Sequence, residues 1–398
     1  NIVTVGIDLA KNVFALHGVD QRGKAIFIKP KVARGQLLEM VAHLPPCLIP
    51  QGDLLAGVGM EACSGAHYWA REFSQFGHTV KLMAPKFVAP YRMSGKRGKN
   101  DAADAAAICE AVTRPNMRFV PVKDVDQQAI LCLHRTRQGF IEERTALYNR
   151  LRGLISEFGI VLPQKVERLR REIGAHLEEL PGWANRCVGD LLVHADRLNE
   201  RIDEYDKAIA QAANKTNAAG IGPTTASALV ASLGGGHDFK NGRQLAAWAG
   251  LVPGQYSSGG KARLGRITKA GDAYLRSLLV MGARSVLAGL GEKQDRFSRW
   301  ARSLVERRGY WKAAVAIAAK NLRLTWAVMK YGDDFRLTAQ RSEQGKSVYG
   351  KKKGITGRSL AAQDQLASFL AASFAFTVLT SLLIQETLGG GLAHLATA

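Results

Sequence analysis

The chain has 398 residues, 46% of them hydrophobic, which is enough for two or three domains with packed cores. Its 55 Lys and Arg against 34 Asp and Glu give a formal net charge of +21, which attracts polyanions such as nucleic acid; a ribosomal-type or merely basic protein is the alternative. The five cysteines are widely spaced and include no Cys-x-x-Cys pair, which argues against a disulfide framework and a zinc site and favours a cytoplasmic location.

Residues 1–113 alternate between strand-like and helix-like patterns. Three short β-type runs come first, IVTVGID, VFALHGV and KAIFIKP, and a helical stretch follows over about residues 35–44. LLAGVGME predicts a fourth strand, residues 66–76 a helix, TVKLMA a fifth strand, and the alanine-rich residues 100–112 a further helix. This is the element order of the ribonuclease-H-like fold, with antiparallel hairpins first and helical crossovers later. We therefore predict an α/β ribonuclease-H-like domain over residues 1–120.

Residues 121–212 have a different pattern. Apolar side chains recur at helical spacing in residues 147–158 and again in residues 195–209, and charges fill the other faces. Breaks fall near Pro163 and Pro181. The pattern predicts a helical hairpin of coiled-coil type, which either forms a dimer or pairs within one chain; periodicity does not separate the two.

Residues 213–338 predict a mainly helical second domain with two glycine-marked turns. Residues 339–398 form a basic linker, GKSVYGKKKGITGR, and an apolar tail of uncertain role. Residues 366–384, LASFLAASFAFTVLTSLLI, carry no charge and are long enough to span a bilayer. Their serines and threonines, and the absence of an anchor pattern, favour a buried or partner-facing helix over a membrane span.

Acidic residues end two predicted strands that the fold places side by side. Asp8 ends the first strand in VGIDLAK, and Glu61 ends the fourth in VGMEACSG. Asp101 and Asp104 lie three residues apart in KNDAADAAA and share one helix face. Carboxylates gathered in this way repel one another unless hard cations lie between them, and Mg²⁺ or Mn²⁺ prefers such oxygen ligands. The set predicts a two-metal site able to polarise a phosphodiester.

Each carboxylate has a purely structural alternative when taken alone. Asp8 is explained as a strand-end cap, and GIDLA also resembles the opening of an actin-like sugar kinase, which would need a second glycine-rich phosphate loop that we do not find. Glu61 would pair with Lys81 or Lys86, and Asp101 would interact favourably with the helix macrodipole. The four together, in this strand order, favour the metal site.

These motifs carry a family resemblance. GIDLAK, GMEACSG and KNDAADA resemble the acidic motifs of the DEDD-type insertion-sequence transposases, whose catalytic domain is similar to that of RuvC Holliday-junction resolvases. Residues 217–290 are similar to the family's second conserved domain, so the likeness covers about residues 1–335. Asn100 stands where Thr is common in the family, and the tail after about residue 340 is longer and more apolar than the family pattern.

The resemblance implies a set of functional residues and partners. It implies that Asp8, Glu61, Asp101 and Asp104 hold Mg²⁺ or Mn²⁺, and that Ser258 of QYSSGG is the nucleophile joined to DNA. Characterised relatives use a noncoding bridge RNA that pairs with donor and target DNA, and they act as multimers. The expected partners are therefore DNA, a bridge-type RNA, and further copies of this chain in a homodimer or higher homo-oligomer.

Without the family, YSSGGKARLGRITKAG is a glycine-rich, basic loop. Two glycines after Ser258 let the backbone approach a phosphate, and no histidine nearby completes a hydrolase triad, so the serine needs activation by metal or a distant base. The alternative is a phosphate-binding loop without a covalent role, and the residues alone do not separate Ser257 from Ser258. The predicted nucleic-acid contacts are the basic residues of this loop and of residues 91–99, namely Lys261, Arg263, Arg266, Lys269, Arg92, Lys96, Arg97 and Lys99.

We predict a DNA transposase that cuts and rejoins strands through metal-binding carboxylates and a covalent phosphoserine intermediate, guided by a bridge RNA. The first alternative is a metal-dependent, resolvase-like nuclease that uses water as its nucleophile. The second is a nucleic-acid-binding protein without catalysis. Convergence of the carboxylates separates a catalyst from a binder, and a covalent protein–DNA adduct separates a recombinase from a nuclease.

Overall fold

A computed structural model describes residues 1–45, 57–92, 100–213 and 221–331. All described residues belong to one compact unit of the chain, Asn1–Ala339. The apolar segment 366–384 therefore lies outside the described residues. Within the described ranges, no helix is both long enough and apolar enough to cross a membrane.

A six-stranded sheet forms the N-terminal part. Its strands are β1 Thr4–Asp8, β2 Val13–Val19, β3 Ala25–Ala33, β4 Gly57–Glu61, β5 Val80–Met83 and β6 Phe119–Val120, in the order β3-β2-β1-β4-β5-β6. β1, β2 and β3 pair antiparallel, β1, β4 and β5 pair parallel, and β6 pairs antiparallel with β5. The five strands predicted from hydrophobic patterning are present. The two-residue β6 was not predicted, because so short a run has no period to detect.

The helices of this part are α1 Arg34–Ala42, α2 Ala66–Gln75, α3 Pro85–Val88 and α4 Asp101–Val112, with a 3₁₀ turn at Ala89–Tyr91. Successive side chains of a strand point to opposite faces of the sheet. Val5 and Ile7 of β1 belong to one buried cluster with Trp69 and Phe73 of α2. The opposite face of β1 and β4 is therefore left for α4.

Two glycines bring α4 close to the sheet. A Cβ atom on Gly6 would lie 2.3 Å from the carbonyl oxygen of Ala105 and 2.4 Å from the backbone nitrogen of Cys109, and one on Gly59 would lie 2.9 Å from a side-chain atom of α4. The Cys109 thiol donates to the carbonyl oxygen of Thr4. Since residue 109 contacts residue 4 and residue 105 faces residue 6, α4 runs antiparallel to β1, and its first turn lies beside the C-terminal end of that strand.

Residues 125–212 form three helices, α5 Val125–Ser156, α6 Val166–His176 and α7 Gly182–Ala212. The guanidinium group of Arg137 on α5 forms an ion pair with Asp206 on α7, and Arg144 donates to Asn199. α5 and α7 therefore run antiparallel within one chain, which is one of the two predicted arrangements. Apolar residues of all three helices form a separate core at the far end of this hairpin.

The remaining described residues are mostly helical. They form α8 Pro223–Leu233, α9 Gly242–Trp248, α10 Ala273–Ala288, α11 Arg296–Arg308 and α12 Tyr310–Tyr331, with a two-stranded hairpin of β7 Pro253–Gln255 and β8 Leu264–Ile267 between α9 and α10. These helices share one apolar core. The protein thus combines a mixed α/β N-terminal part with a mostly helical C-terminal part.

A buried histidine joins α5 to the C-terminal helices. His134 contacts the hydroxyl of Tyr274 on α10 through Nδ1 at 2.9 Å and the hydroxyl of Ser227 on α8 through Nε2 at 3.0 Å. The Ser227 hydroxyl donates to the carbonyl oxygen of Pro223, so it accepts from Nε2–H of His134. Burial lowers the pKa of His134 to about 4, and the ring is neutral at pH 7. This network sets the position of α8 and α10 relative to α5.

The Gly6 contact yields a prediction about stability. Gly6→Ala places a methyl group against the backbone of α4, which must move away from β1. Overpacking of this kind costs about 1–3 kcal/mol. We expect the free energy of unfolding, measured with urea, to fall by about 1–3 kcal/mol. The control is Gly153→Ala in α5, where an added Cβ meets open space; it is expected to leave stability unchanged or raise it. Equal effects of the two substitutions would contradict the close contact.

Candidate active site

The register of β1, β4 and α4 brings the predicted acidic residues to one edge of the sheet. Asp8 lies two residues after Gly6, and Glu61 lies two residues after Gly59, so both side chains are on the face that α4 covers. β1 and β4 are adjacent and parallel, and both carboxylates are at their C-terminal ends. A carboxylate at each of two adjacent strand ends is therefore presented to the first turn of α4.

The local sequence begins α4 at the position that supplies two further carboxylates. Asn100 is the N-cap residue, and its side-chain oxygen accepts from the backbone nitrogen of Ala103 at 2.8 Å. Asp101 and Asp104 consequently fall in the first turn, where the helix dipole stabilises negative charge. Asn100 performs the capping function that Thr also supports, so this departure from the family pattern preserves the helix start.

Arg92 lies between two of the carboxylates. Its Nη2 is 2.9 Å from Oε1 of Glu61, and its Nε is 2.8 Å from Oδ1 of Asp104. The Glu61 and Asp104 side chains are only 13% and 14% exposed, so these are ion pairs shielded from solvent. The contact of Nε with Asp104 is an ion pair rather than an aligned hydrogen bond, because Nε has no acceptor in hydrogen-bonding geometry among the described residues.

The electrostatics of Asp8 reflect the crowding of negative charge. Burial, followed by the carboxylates of Asp104, Asp101 and Glu61, raises the pKa of Asp8 from 3.8 to about 6, and Arg92 opposes this rise. Burial also raises the pKa of Glu61; Arg92 lowers it, and Asp104 raises it further. The three other predicted carboxylates therefore all act on Asp8, and the guanidinium group of Arg92 compensates part of the negative charge at this edge.

The donor set fits a hard divalent cation in its chemistry. Carboxylate oxygens are the ligands that Mg²⁺ and Mn²⁺ prefer, and the mutual repulsion at Asp8 is what a cation relieves. In the described residues, no three acidic, histidine or cysteine side chains are close enough together to hold one ion as they stand. The carboxylates are arranged around the guanidinium group of Arg92, which already carries a positive charge into the position between Glu61 and Asp104.

The structure also decides between the alternative partners of Glu61. The ammonium group of Lys81 lies 4.7 Å from the centre of the Phe119 ring, and that of Lys86 lies 5.0 Å from the centre of the Phe87 ring. Glu61 pairs with Arg92 instead. Sequence analysis assigned Arg92 to nucleic-acid contact and missed this role. Arg92 is distant from Glu61 and Asp104 in the sequence, and only the fold brings the three together, so no local spacing marks the ion pairs.

Ser258 lies at the tip of the β7–β8 hairpin. It forms a bridge with Lys261, whose backbone nitrogen donates to the Ser258 carbonyl oxygen at 3.0 Å. Gly259 and Gly260 between them have φ angles of 56° and 75°. Two consecutive positive φ angles define a type I′ turn, which favours glycine at both positions and matches the twist of a two-residue hairpin. Ser258 is thereby held at an exposed, tightly defined corner of the chain.

The two adjacent serines have different surroundings. The hydroxyl oxygen of Ser257 accepts from Nε2 of Gln255 at 2.8 Å and from the backbone nitrogen of Arg263 at 3.2 Å. No described residue forms a hydrogen bond with the hydroxyl group of Ser258. The Ser257 hydroxyl thus stabilises the hairpin, whereas that of Ser258 is open to solvent and available to another molecule.

The predicted basic contacts flank this turn. Lys261, Arg263, Arg266 and Lys269 are all exposed, and in the described part of the chain none lies within ion-pair distance of a carboxylate. Lys96, Arg97 and Lys99 lie outside the described residues. The hairpin is therefore a basic, exposed surface around one unoccupied hydroxyl group. Across the described ranges, no hydrogen bond or ion pair joins residues 253–267 to residues 1–120.

The sequence is similar to those of several transposases. A family model described as "Transposase IS116/IS110/IS902 family" matches residues 216–298, and a model of the DEDD transposase domain of the IS110 group matches residues 5–160. A probable family 20 transposase from Pseudomonas aeruginosa is 43% identical over 341 residues, which are 83% of this chain and 97% of the relative. The transposase for insertion sequence element IS1328 from Yersinia enterocolitica is 38% identical, over 84% of this chain and 99% of the relative. The transposase for element IS1111A from Coxiella burnetii is 38% identical, over 85% of this chain and 93% of the relative.

The Arg92 ion pairs predict a pH dependence of stability in metal-free protein. Asp8 has a pKa of about 6 when folded and about 3.8 when unfolded, so the folded state binds its proton more tightly. Stability therefore falls as pH rises through this interval, and the full loss is present above it. Arg92→Met removes the charge that opposes the rise and leaves Glu61 and Asp104 without their partner. We expect a larger loss of stability toward neutral pH than in the unmodified protein.

The measurement is the urea midpoint from about pH 4 to pH 8, with chelator present. Arg168→Met is the matched control, because Arg168 pairs with Glu172 on the exposed face of α6. Its pH profile is expected to match that of the unmodified chain. A profile of Arg92→Met that also matches would show that Arg92 does not compensate the carboxylates.

Proposed function

Because the chain belongs to the IS110 family of DEDD-type transposases and is a DNA transposase, we propose that it cuts and rejoins DNA through the two sites described above. We propose that residues 1–120 adopt a ribonuclease-H-like fold, which the strand order and the pattern of parallel and antiparallel pairs support. The observation that supports the proposal is that Asp104, Asp101 and Glu61 all raise the pKa of Asp8 at one sheet edge, where Arg92 pairs with Glu61 and Asp104. A protein that only binds nucleic acid has no reason to gather these carboxylates, since they repel phosphate.

In this proposal, Asp8, Glu61, Asp101 and Asp104 hold Mg²⁺ or Mn²⁺, which when bound polarises the scissile phosphodiester and stabilises charge on its oxygens. Glu61 and Asp104 would hold the cation in place of the guanidinium group of Arg92, which now pairs with both. The raised pKa of Asp8 supports this role, because a carboxylate held among like charges gains most from a nearby positive charge.

We propose that Ser258 is the nucleophile. Its hydroxyl oxygen attacks the phosphorus atom and loses its proton, the bond from phosphorus to the 3′ oxygen breaks, and the departing 3′ oxygen takes up a proton. The 5′ phosphate is then joined to the serine. Attack by another 3′ hydroxyl displaces Ser258 and restores a phosphodiester, so no ATP is required. The open hydroxyl at the I′ turn supports this assignment over Ser257, whose hydroxyl is engaged in the hairpin.

The partners of the reaction follow from charge and family. DNA is the substrate, and a net charge of +21 favours its binding. We further propose that a bridge-type RNA guides the protein to donor and target, and that it acts as a homodimer or higher homo-oligomer. Ser258 and the carboxylates then meet either within one chain or between two. A resolvase-like nuclease that uses water is the competing proposal; it needs the carboxylates but not Ser258.

The first prediction of this proposal concerns Asp104. Asp104→Asn removes a ligand charge but no Lys or Arg, so strand cleavage is expected to fall at least about a hundredfold while DNA affinity stays within about twofold. Chelator should have the same effect on the unmodified protein, reversed by added Mg²⁺ or Mn²⁺. The control is Asp126→Asn, which changes a carboxylate in the first turn of a different helix, α5. Normal recombination by Asp104→Asn would refute the role of Asp104.

The second prediction concerns a covalent link. Labelled element DNA incubated with the protein, Mg²⁺ and co-expressed RNA should yield a protein–DNA adduct on a denaturing gel. Ser258→Ala is expected to abolish the adduct, and Ser257→Ala to retain it at reduced yield because the hairpin loses two hydrogen bonds. The reverse result would assign the nucleophile to Ser257. Cleavage without an adduct, even when rejoining is blocked, would favour the nuclease. Recovery of activity when Ser258→Ala and Asp8→Ala chains are mixed would show that the site is shared between chains.

A further inference from the structure

Two exposed aromatic side chains begin α12. Trp311 is 64% exposed and Tyr310 is 40% exposed, and their rings are 5.3 Å apart at an angle of 86°. The guanidinium carbon of Arg284, on the neighbouring α10, lies 5.3 Å from the centre of the Trp311 ring. Met281, one turn before Arg284, is 60% exposed. These four residues, named here the α12 platform, present a large apolar and cationic surface to solvent.

The exposure of Trp311 contrasts with that of the tryptophan at the other end of the same helix. Trp326 is buried, and its ring nitrogen donates to the carbonyl oxygen of Gly236 at 3.1 Å. The Trp311 ring contacts the Tyr310 ring and the Arg284 guanidinium group, and its ring nitrogen forms no hydrogen bond with a described residue. Packing within the described chain therefore does not explain an indole ring at this position, whereas a ligand with a flat apolar face does.

The surroundings of the platform are basic. Residues 305–312, VERRGYWK, contain Arg307, Arg308 and Lys312 against one carboxylate, Glu306. All of these side chains are exposed, and the three cations form no ion pair with the described residues. A flat aromatic surface bordered by uncompensated cations is complementary to a nucleotide, which combines an aromatic base with a negative phosphate.

We propose that the α12 platform binds an unpaired segment of a DNA strand, with one base stacked on Trp311 and the neighbouring phosphates held by Arg307, Arg308 and Lys312. In the interior of a duplex, neighbouring base pairs cover both faces of each base, so away from duplex ends an exposed indole ring stacks on a base that is unpaired. A protein that cuts and rejoins DNA creates such segments. The inference needs only the family's activity on DNA, and it is independent of the carboxylate and serine chemistry.

The test measures binding without cleavage. Fluorescence anisotropy in chelator follows the full-length protein with a labelled oligothymidine of about twelve nucleotides, and with a duplex of the same length. Trp311→Ala is expected to weaken binding of the single strand by about tenfold, because stacking contributes that order of affinity per base. Duplex affinity is expected to stay unchanged. Trp311→Phe should keep most of the single-strand affinity.

Salt dependence separates stacking from charge. Trp311→Ala should leave the slope of log affinity against log salt unchanged, since no charge is lost. The double substitution Arg307→Gln, Arg308→Gln should reduce that slope by about one unit. Trp183→Ala is the matched control: Trp183 is 79% exposed with Arg186 near its ring, but it stands at the start of α7, next to Glu178 and Glu179. The Trp183→Ala protein is expected to bind both oligonucleotides with the affinity of the unmodified protein.

Several results would overturn the proposal. The first is a Trp311→Ala protein that binds the single strand as tightly as the unmodified protein. The second is an equal loss of affinity for the duplex. The third is a loss of affinity for an oligouridine RNA but not for the DNA strand. A change in oligomeric state of Trp311→Ala at normal single-strand affinity would instead identify the platform as a contact between copies of the chain. Failure of the unmodified protein to bind any DNA would count against the proposed function itself, and so remains distinguishable from failure of the platform.

Discussion

Repulsion between carboxylates at one edge of the sheet is the constraint around which the N-terminal part is organised. Asp8 and Glu61 are brought together because β1 and β4 are adjacent and parallel. Gly6 and Gly59 leave room for α4, and the antiparallel course of α4 delivers two further carboxylates to the same edge. Each step follows from backbone geometry, and each adds unfavourable charge. Arg92 compensates part of it, and the pKa of Asp8 remains raised by burial first and by the neighbouring carboxylates second.

The alternation of apolar residues predicted β1 to β5, α1, α2 and α4 because these elements bury one face against a large core. The two long helices were predicted for the same reason, since their apolar residues recur every three or four positions. What periodicity could not supply is any pairing between distant segments. β6 is two residues long and forms by pairing antiparallel with the edge of β5. That the two long helices pair antiparallel within one chain is seen from the ion pair of Arg137 with Asp206.

The candidate site was predictable to different degrees for related reasons. The four acidic residues stand at element ends, where the change of pattern marks them. Arg92 follows a short 3₁₀ turn, and nothing in YRMSGKRGK distinguishes it from the basic residues after it. The sequence predicts a glycine-rich, basic loop at Ser-Gly-Gly-Lys, although adjacent glycines between alternating residues are also typical of an I′ hairpin. That turn, and the hydrogen bonds to the Ser257 hydroxyl, distinguish the two serines.

The two parts of the candidate site carry opposite charge, which bears on how a phosphodiester reaches them. The acidic edge repels phosphate, and the Ser258 hairpin, with its four exposed basic residues, attracts it. DNA is therefore expected to contact the hairpin before the carboxylates. With Arg92 bound, Glu61 and Asp104 are neutralised in part, but their oxygens are occupied. In the proposed metal site, a cation held by Glu61 and Asp104 would take the place of the Arg92 guanidinium group, whose planar fork matches a phosphate. The ion pairs of Arg92 with Glu61 and Asp104 therefore place a phosphate-binding group directly beside the acidic edge.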